Sequence, residues 1–552
     1  MSTAPVPGAH EGLWLLHALD QGSRAYNVTG ALRLTGPLDT AAAVAAVAAV
    51  LSRHSALRSA FPARQGAAHR AVLPPSGPPL ALRDLTGLPR TRQEAAVAAE
   101  IDAAVTRHFD LAAGPLFTMK LLRLAPQVHV LLLSAHHIVA DGWSMDVIYR
   151  ELSACYRQLV QGKTPGLASP SDYDQYTRRH RERLETGALD ASARHWSGRL
   201  DGLPGDITFP GRRPRPETPS RPAARYAFAL EGEPAGQIHA LSRRAGSTVF
   251  TTLLAIYSLT LHQLSGQPAL PVGIVAANRD RPGTADLVGM LANLLPIPVS
   301  IDRRASFAEH LWRLRDEVLL AREHQEFPFA RIVDTVRPRR VPGAPVLVQV
   351  LFDLEYRQAE PLDLPGITVK PLPIPAGTAK FDLSLIVRDC GERLEHVLEY
   401  DAELFDEPWA AEFATAYRTV ARAAVSDPGA PVGRLLGQPP GTPAAWPPAV
   451  PATVPPAGRA ESGIPDGPDS AAERLVRQVC ADILGQPGLT LADNFLEAGG
   501  NSLLAVRLVY SLFEETGVTV SPSQVLRCAT LRELAAAVAT GPRPGRLGAA
   551  AQ

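Results

Sequence analysis

The sequence predicts two α/β lobes of similar size and, after an extended tether, a small all-helical bundle. Apolar residues at helical spacing alternate with short β-rich runs through residues 8–200 and again through residues 201–436. Residues 437–468 contain ten prolines, and in the polyproline form they could extend about 90 Å. Residues 469–541 show helical periodicity only. We expect residues 542–552 to be a tail.

The composition indicates a protein of the cytoplasm. Lysine plus arginine and aspartate plus glutamate each number 55 in 552 residues, so the charge balance predicts no nucleic acid and no membrane surface as partner. No apolar run reaches the roughly 18 residues that span a bilayer, and the N-terminus lacks a signal pattern. The four cysteines form no pairwise motif, which argues against disulfides and structural zinc.

The first lobe is predicted to contain a short helix at 11–19, a strand at 31–34 and an Ala-rich helix opened by residues 36–40. A third helix is expected over 92–108, followed by a strand hairpin over 117–124 and 128–135. Charged helical stretches occupy 172–200, and the Pro-, Gly- and Arg-rich segment 201–224 is expected to cross to the second lobe.

The second lobe is predicted to begin with a strand at 225–230, followed by a buried helix over 250–261. Strands are expected at 271–276, 346–356, 380–388 and 394–400. Ser306 with Glu309, and Thr530 with Glu533 in the C-terminal bundle, have the spacing of capping boxes. Asp406 and Pro408 predict the start of the last helix of the lobe.

Residues 134–144 combine a strand, a turn and a helix start around two histidines. In an extended chain His136 and His137 point to opposite faces, so only one of them faces a given cavity. Asp141 lies at the turn, where it can accept hydrogen bonds or pair with an arginine, and Gly142 permits a sharp turn. Two adjacent strand histidines cannot easily ligate one ion, and no third ligand is near, so we predict no metal site.

Ser502 follows two glycines at a predicted helix start, where serine is also a common N-cap. The run Asp493-Asn-Phe-Leu-Glu-Ala-Gly-Gly-Asn-Ser-Leu resembles the phosphopantetheine attachment site of acyl and peptidyl carrier proteins. The resemblance implies 4′-phosphopantetheine attached covalently to Ser502 by a phosphopantetheinyl transferase. It also implies an all-α four-helix carrier bundle. A helix N-terminus favours the phosphate of such an arm.

The first 435 residues resemble a condensation domain of non-ribosomal peptide synthetases. Six segments match that family in order: the His-His-x-x-x-Asp-Gly motif at 136–142, Arg53-His-Ser-Ala-Leu-Arg-Ser-Ala-Phe, Tyr173-Asp-Gln-Tyr, Val288-Gly-Met-Leu-Ala-Asn, His324-Gln-Glu-Phe-Pro-Phe and Lys380-Phe-Asp-Leu. The implied fold is an α/β, chloramphenicol-acetyltransferase-like pair of lobes, a V-shaped pseudo-dimer with the histidine motif midway along a tunnel. The departures are Glu11 directly before Gly12, Asn293-Leu in place of Asn-Thr, and a weak last motif at 339–342. They bear on the donor subclass.

The resemblance implies an acyltransferase that forms an amide between a donor acyl or peptidyl thioester and an acceptor amine. We expect His137 to act as the base or to orient the amine, and His136 to be structural. Asp141 is expected to pair with Arg279, so that swapping both charges would partly rescue either single change. Gly142 would leave room for the arm, and its N–H would face the oxyanion.

The expected partners are an upstream donor carrier protein, an adenylation enzyme acting in trans and aminoacyl or peptidyl thioesters. The resemblance places the chain in the biosynthesis of secondary metabolites such as antibiotics. Three alternatives stay open at this point. They are an ester-forming enzyme or one with a free small-molecule acceptor, an epimerase, which the domain order disfavours, and a non-catalytic recruiting platform, which would be expected to lose His137, Asp141 or Gly142.

Overall fold

The computed structural model describes most of the chain as two α/β lobes and a C-terminal helical bundle. The described residues are 3–6, 8–19, 24–64, 67–75, 77–167, 172–216, 220–281, 283–356, 362–436, 470–495, 498, 502–518, 520, 524–525 and 528–541. The linker expected over 437–468 and the tail expected over 542–552 lie outside these ranges. Within them, no helix is both long and apolar enough to cross a membrane.

The first lobe is built on a five-stranded sheet covered by helices. Its elements are β1 (Thr3–Pro5), α1 (Gly8–Leu19), β2 (Asn27–Thr35), α2 (Thr40–Arg53), β3 (Ser59–Ala60), β4 (Ala63–Arg64), β5 (Ala67–Val72), β6 (Ala81–Asp84), α3 (Arg90–Val105), β7 (Phe117–Ala125), β8 (Val128–His136), α4 (Gly142–Val160) and α5 (Tyr173–Glu185). The sheet has the order β13-β2-β8-β7-β6, in which β13 (Thr368–Pro371) comes from much later in the chain. Strand β8 is therefore central and paired on both sides.

The second lobe is built on a six-stranded sheet of order β11-β10-β12-β14-β15-β9. Its elements are α6 (Asp190–Leu200), β9 (Ala223–Glu231), α7 (Glu233–Arg244), α8 (Val249–Ser265), β10 (Ala269–Ala276), β11 (Asn293–Ser300), α9 (Phe307–Glu323), α10 (Phe329–Val336), β12 (Val350–Tyr356), β13 (Thr368–Pro371), β14 (Leu383–Asp389), β15 (Arg393–Asp401), α11 (Glu407–Ser426) and α12 (Val432–Leu435). Helix α8 is buried through most of its length, as its apolar sequence predicts.

The C-terminal bundle contains α13 (Ala471–Leu484), α14 (Ser502–Thr516) and α15 (Leu531–Thr540) among the described residues. Ser470 caps α13 and forms a reciprocal capping box with Glu473. Apolar side chains from all three helices form one core, which includes Val476, Leu508 and Leu534. This core is separate from those of the two lobes, as a tethered domain requires.

Helix α4 begins and ends where the sequence predicts. Asp141 caps its first turn by accepting the Ser144 N–H at 2.9 Å. Gly162, with φ +72°, follows its last turn. The face that carries Ile148, Leu152 and other apolar residues packs into the first core against α2.

Several elements differ from the sequence predictions. Helix α6 contributes Trp196 and Leu200 to the second core, so that core begins before residue 201. Helix α3 ends at 105 instead of 108. Thr530 accepts the Glu533 N–H, but the Glu533 carboxylate accepts from Ala529, so the reciprocal half of the expected capping box involves a neighbouring residue. Helices α7 and α10 and strands β11 and β13 are additional.

A buried histidine makes the second lobe sensitive to acid. His396 stacks on Phe228 with ring centroids 4.7 Å apart, and its Nδ1 lies 3.0 Å from the Leu394 carbonyl oxygen. Burial, with Arg418 adding to it, lowers the pKa of His396 to about 3. Between that value and the unfolded pKa near 6.5 only the unfolded chain binds the proton, so stability is full above about pH 6.5 and falls as the pH falls.

We therefore expect His396→Phe to reduce the acid sensitivity of unfolding. The substitution removes one site at which the unfolded chain binds a proton. The slope of the unfolding free energy against pH should therefore fall by about 1.4 kcal/mol per pH unit between about pH 4 and 6. Urea denaturation at a series of pH values measures the slope. Leu398→Ala, which opens a cavity in the same strand and core, should destabilise equally at every pH. A slope in His396→Phe equal to that of the parent chain would contradict the assignment.

Candidate active site

The histidine motif is fixed by the central strand of the first sheet. His136 is paired with Asn27 of β2, and Ala135 with Phe117 of β7. The His137 N–H donates to the Tyr26 carbonyl oxygen at 2.8 Å. Ladder hydrogen bonds on both sides therefore hold the backbone where the strand turns into α4.

His136 and His137 point to different surroundings, as the strand geometry predicts. His136 is buried, with its ring edge-on to the rings of His17 and Phe109. Its Nδ1 accepts the Ile138 N–H at 3.2 Å. Burial, followed by the charges of His17, His137 and Lys380, lowers the pKa of His136 to about 3. His136 is thus a neutral ring that stabilises its own turn, which indicates a structural role.

His137 is only partly buried, and its Nδ1 lies 3.1 Å from the Met290 sulfur. A thioether has no proton to donate, so a hydrogen bond here requires the Nδ1–H tautomer and leaves Nε2 with a free lone pair. Burial, reinforced by the charge of Lys380 and opposed by that of Asp141, lowers the pKa of His137 to about 4. At neutral pH the ring is therefore a neutral proton acceptor.

Asp141 is the most heavily hydrogen-bonded carboxylate of the site. Its Oδ1 accepts from Arg279 at 2.8 Å and from the Ser144 N–H at 2.9 Å. Its Oδ2 accepts from Arg279 at 3.0 Å and from the Leu291 and Ala292 N–H groups at 3.0 and 3.1 Å. Burial would raise its pKa, but the Arg279 charge and these donors hold the pKa of Asp141 below its ordinary value. The carboxylate stays ionised, so it is a structural anion.

Arg279 extends this contact into residues 284–292. Its guanidinium donates to the Thr284 carbonyl at 2.9 Å and to the Leu287 carbonyl at 2.5 Å. The Ser144 hydroxyl lies 2.8 Å from the Gly289 carbonyl oxygen and accepts the Gly289 N–H at 3.1 Å. The start of α4 and this loop of the second half of the chain are thus joined by buried polar contacts.

Gly289 allows the loop to approach α5 closely. A Cβ at this position would collide with the Tyr173 ring, and the φ of Gly289 is +156°. The Tyr173 hydroxyl lies 2.5 Å from His10 Nε2 and accepts the Met290 N–H at 3.2 Å. Met290, which contacts His137, is therefore positioned from behind by Tyr173.

Gly142 differs from its expected role as a turn residue. Its φ is outside the left-handed region, and it is the first residue of α4. A Cβ added there would meet no atom within 4 Å, so the space beside it is open. Next to it, Trp143 is 41% exposed and donates its indole N–H to the Ala285 carbonyl at 2.8 Å. Gly142 is thus an exposed helix-start position with free space around its Cα.

Ser502 is the first residue of α14, and that helix lies beside α1 of the first lobe. The fifteen-residue helix presents the positive end of its dipole at this end, which suits a phosphodiester. The position therefore fits an attached phosphopantetheine. Within the described ranges, no cluster of three or more His, Cys, Asp or Glu residues could hold a metal ion.

The motif positions were evident from the sequence, but several contacts within the site were not. Tyr173 and Met290 lie in segments that match the family, and Ser144 follows the histidine motif by two residues, yet spacing alone assigned them no role. A methionine or tyrosine in a β-rich or helical run is usually a core residue. Only the contact across more than a hundred residues shows that Met290 faces the histidine.

The class of protein follows from this geometry together with the family models. The condensation-domain model matches residues 2–440, and the phosphopantetheine attachment site model matches residues 474–538. The chain belongs to the condensation-domain family and carries a C-terminal domain for covalent phosphopantetheine attachment. The two-lobed, chloramphenicol-acetyltransferase-like fold implied by the sequence resemblance is confirmed.

Curated relatives are synthases and synthetases that are much longer than this chain. Chondramide synthase cmdD of Chondromyces crocatus is 33% identical over 430 residues, which cover 78% of this chain and 11% of the relative. Phosphinothricin tripeptide synthetase PhsC of Streptomyces viridochromogenes is 34% identical over 429 residues, which cover 77% of this chain and 39% of the relative. The chain thus spans less than half of either relative.

A solved structure supports the same fold. The four-domain non-ribosomal peptide synthetase holo-AB3403, bound to AMP and glycine, matches with a TM-score of 0.70 and 19% sequence identity. The match covers 79% of this chain and 34% of that chain.

We expect Gly289→Ala to separate Met290 from His137. The new methyl group would collide with Tyr173 and move the loop, because a backbone at this φ cannot simply relax with a side chain present. Thermal unfolding should show a loss of about 1–3 kcal/mol. Gly391→Ala is a control for φ alone, since its φ is +83° but its Cβ would meet nothing. Equal losses in both variants would contradict a specific clash at Gly289.

We expect Asp141→Asn to destabilise the lobes by about 3–5 kcal/mol, because it leaves the buried Arg279 charge unpaired.

The structure also changes the prediction that swapping the charges of Asp141 and Arg279 would partly rescue either single variant. An arginine at 141 cannot accept the N–H groups of Ser144, Leu291 and Ala292, so the double swap should remain as unstable as the single variants. Thermal denaturation measures both.

The exposed pair Arg388–Glu355 provides the control for this experiment. Glu355→Gln should cost less than about 1 kcal/mol, since exposed ion pairs contribute little. Recovery of stability in the Asp141→Arg, Arg279→Asp double variant would show that the ion pair alone, without the N–H contacts, holds the lobes.

Proposed function

We propose that the chain forms an amide bond between a donor acyl or peptidyl thioester and an acceptor amine presented by its own carrier domain. The neutral His137, with its Nε2 lone pair free, is the single observation that carries this proposal. One of the relatives is named a phosphinothricin tripeptide synthetase, which supports a peptide-forming reaction. In this reaction the nitrogen forms a bond to the thioester carbonyl, the C–S bond breaks, and the amine proton passes to the departing sulfur.

The acceptor amine must be neutral before it attacks. An α-amino group has a pKa near 8, so at neutral pH most of it is protonated. The Nε2 of His137 can accept a hydrogen bond from the neutral amine and orient it, or take the proton that the nitrogen loses once it has bonded to the carbonyl carbon. The Met290 sulfur and the Tyr26 carbonyl fix the ring and its backbone, so the imidazole is oriented before substrate arrives.

When the amine attacks, negative charge develops on the thioester carbonyl oxygen, and a hydrogen-bond donor is needed to stabilise it. Within the described part of the chain, no acceptor is found for the Gly142 N–H, which lies at the N-terminal end of α4 with open space beside it. This N–H and the helix dipole favour an anion at that place. Asp141 remains ionised against Arg279 and takes no part in proton transfer.

We propose Ser502 as the attachment point of the arm, whose thiol would carry the acceptor as a thioester. Its position at the start of α14, beside α1, supports presentation of an acceptor to the first lobe. The residues between the two family matches, 441–473, are too few for an adenylation domain. We therefore propose loading in trans by an adenylation enzyme, after modification by a phosphopantetheinyl transferase, and delivery of the donor by a separate carrier in the cytoplasm.

We expect His137→Ala to lower the rate of amide formation by about 10²–10⁴-fold with little loss of stability. The assay charges the Ser502 arm with aminoacyl groups, adds a donor carrier, and follows the products by intact-protein mass spectrometry. The exposed His108→Ala is the matched control and should retain the parent rate. Ser502→Ala should gain no phosphopantetheine mass and give no product.

Other outcomes of this assay would replace the proposal. Equal product from His137→Ala would remove the base and orientation roles. Product with hydroxyacyl but not aminoacyl acceptors would indicate ester formation. Product with a free amine and no dependence on Ser502 would indicate a small-molecule acceptor. No product with any acceptor would indicate a recruiting platform.

A further inference from the structure

A cavity of about 260 Å³ lies against the loop 284–292, and His137 is not among the residues that line it. The end of α2, the start of α5 and that loop form its walls. Its lining includes Arg53, His54, Asp172, Tyr173, Leu287 and Val288. This volume has room for several water molecules of about 30 Å³ each, and it is a little smaller than the pockets of roughly 300 Å³ and more that bind drug-sized ligands. The occupant of such a cavity must therefore be a small molecule.

Arg53 presents hydrogen-bond donors to this cavity. Its Nε donates to one oxygen of the buried Glu151 carboxylate at 3.0 Å, and His54 Nε2 lies 2.7 Å from the other oxygen. Within the described residues, no acceptor is found for the two terminal nitrogens of Arg53, and its side chain keeps 14% of its surface exposed. A guanidinium with such nitrogens can bind a carboxylate through two parallel hydrogen bonds. One wall of the cavity therefore suits a carboxylate.

The start of α5 presents a negative charge to the same cavity. Asp172 caps this helix through its Oδ1, which accepts the Asp174 N–H at 2.9 Å and the Gln175 N–H at 3.2 Å. Asp174 is paired with Arg70, whereas the exposed Asp172 forms no ion pair with any residue that the structure describes. The charge of Asp172 is therefore available to a cationic group in the cavity.

The charges and apolar residues of the lining together select a class of ligand. Both arginine–carboxylate pairs at the cavity are neutral, so the charge of Asp172 remains and disfavours a multiply charged anion such as phosphate. A molecule that carries one carboxylate and one ammonium group would instead satisfy both Arg53 and Asp172. Leu287 and Val288 are the apolar residues of the lining, and they suit a short aliphatic side chain.

We propose that this cavity binds a free α-amino acid with a short aliphatic side chain, such as valine, with its carboxylate on Arg53 and its ammonium group at Asp172. The site goes beyond the proposed condensation reaction, because the bound molecule lies apart from His137 and is neither donor nor acceptor. It would contact Tyr173, whose hydroxyl accepts the Met290 N–H at 3.2 Å. An occupied cavity would thus brace the loop that contacts His137.

A ligand-observed NMR titration of the full chain tests the proposal without a thioester or a partner protein. Saturation-transfer difference spectra would be recorded with L-valine, with L-valinamide, which lacks the carboxylate, and with 3-methylbutanoate, which lacks the ammonium group. We expect saturable binding of L-valine. The other two compounds should bind about tenfold more weakly or worse, because each of them loses one charge-assisted contact.

Variants of the two charged residues locate the binding. Arg53→Gln should weaken the binding of L-valine about tenfold, and Asp172→Asn should do the same while it keeps the N-cap of α5. Arg53→Lys keeps a charge beside Glu151 but not the two parallel donors, so its loss should be intermediate. Arg178→Gln, an exposed change on the same helix, is the control and should keep the parent affinity. Circular dichroism would check the fold, and Arg53→Lys with Asp172→Asn would carry the test if Arg53→Gln does not fold.

Three outcomes would overturn the proposal. The first is the absence of saturable L-valine binding at millimolar concentration. The second is equal binding of L-valinamide or of 3-methylbutanoate, which would indicate a site for a cation or for a carboxylate alone. The third is unchanged L-valine affinity in folded variants of Arg53 and Asp172, which would place the binding elsewhere, including beside His137. Because the titration uses no thioester, its result is independent of whether the chain forms amides.

Discussion

The buried contact between Asp141 and Arg279 is the constraint on which the site depends. One carboxylate caps α4, accepts two backbone N–H groups of residues 284–292 and binds the guanidinium that holds the carbonyls of the same loop. Substituting any partner of the buried Asp141 carboxylate should be costly, because each hydrogen bond that is lost leaves a buried polar or charged group without compensation. The turn after β8, the start of α4 and the loop that carries Met290 therefore form one rigid unit.

The two adjacent histidines differ in burial, and this difference gives them different roles. His136 is enclosed among rings and bonds its own turn, whereas His137 keeps partial exposure and a sulfur contact that selects its tautomer. Both rings are neutral at physiological pH for the same reason, desolvation. What distinguishes them is access, since His136 is buried whereas His137 is partly exposed.

Local chemistry in the sequence predicted the parts of the site that are close in the chain. The strand, turn and helix around His137 and the Ser306 capping box follow from spacing and residue type. The Arg279 partner of Asp141 lies 138 residues away and was expected from the family resemblance. Strand β11 escaped prediction because Pro296 and Pro298 lie within it, and such residues are tolerated there only because β11 is an edge strand. The contact of Met290 with His137 joins residues 153 apart in the chain, and no periodicity in the sequence predicts such a contact.

Strand β13 has a consequence for how the chain is made. It pairs residues 368–371 with residues 32–35, at the edge of a sheet whose other strands are complete by residue 136. During synthesis the ribosome therefore exposes β2 as an open, apolar edge while more than two hundred further residues emerge. The sheet of the first lobe is therefore completed only when β13 has been synthesised. Premature termination between residues 136 and 368 would leave the β2 edge able to pair with strands of other chains.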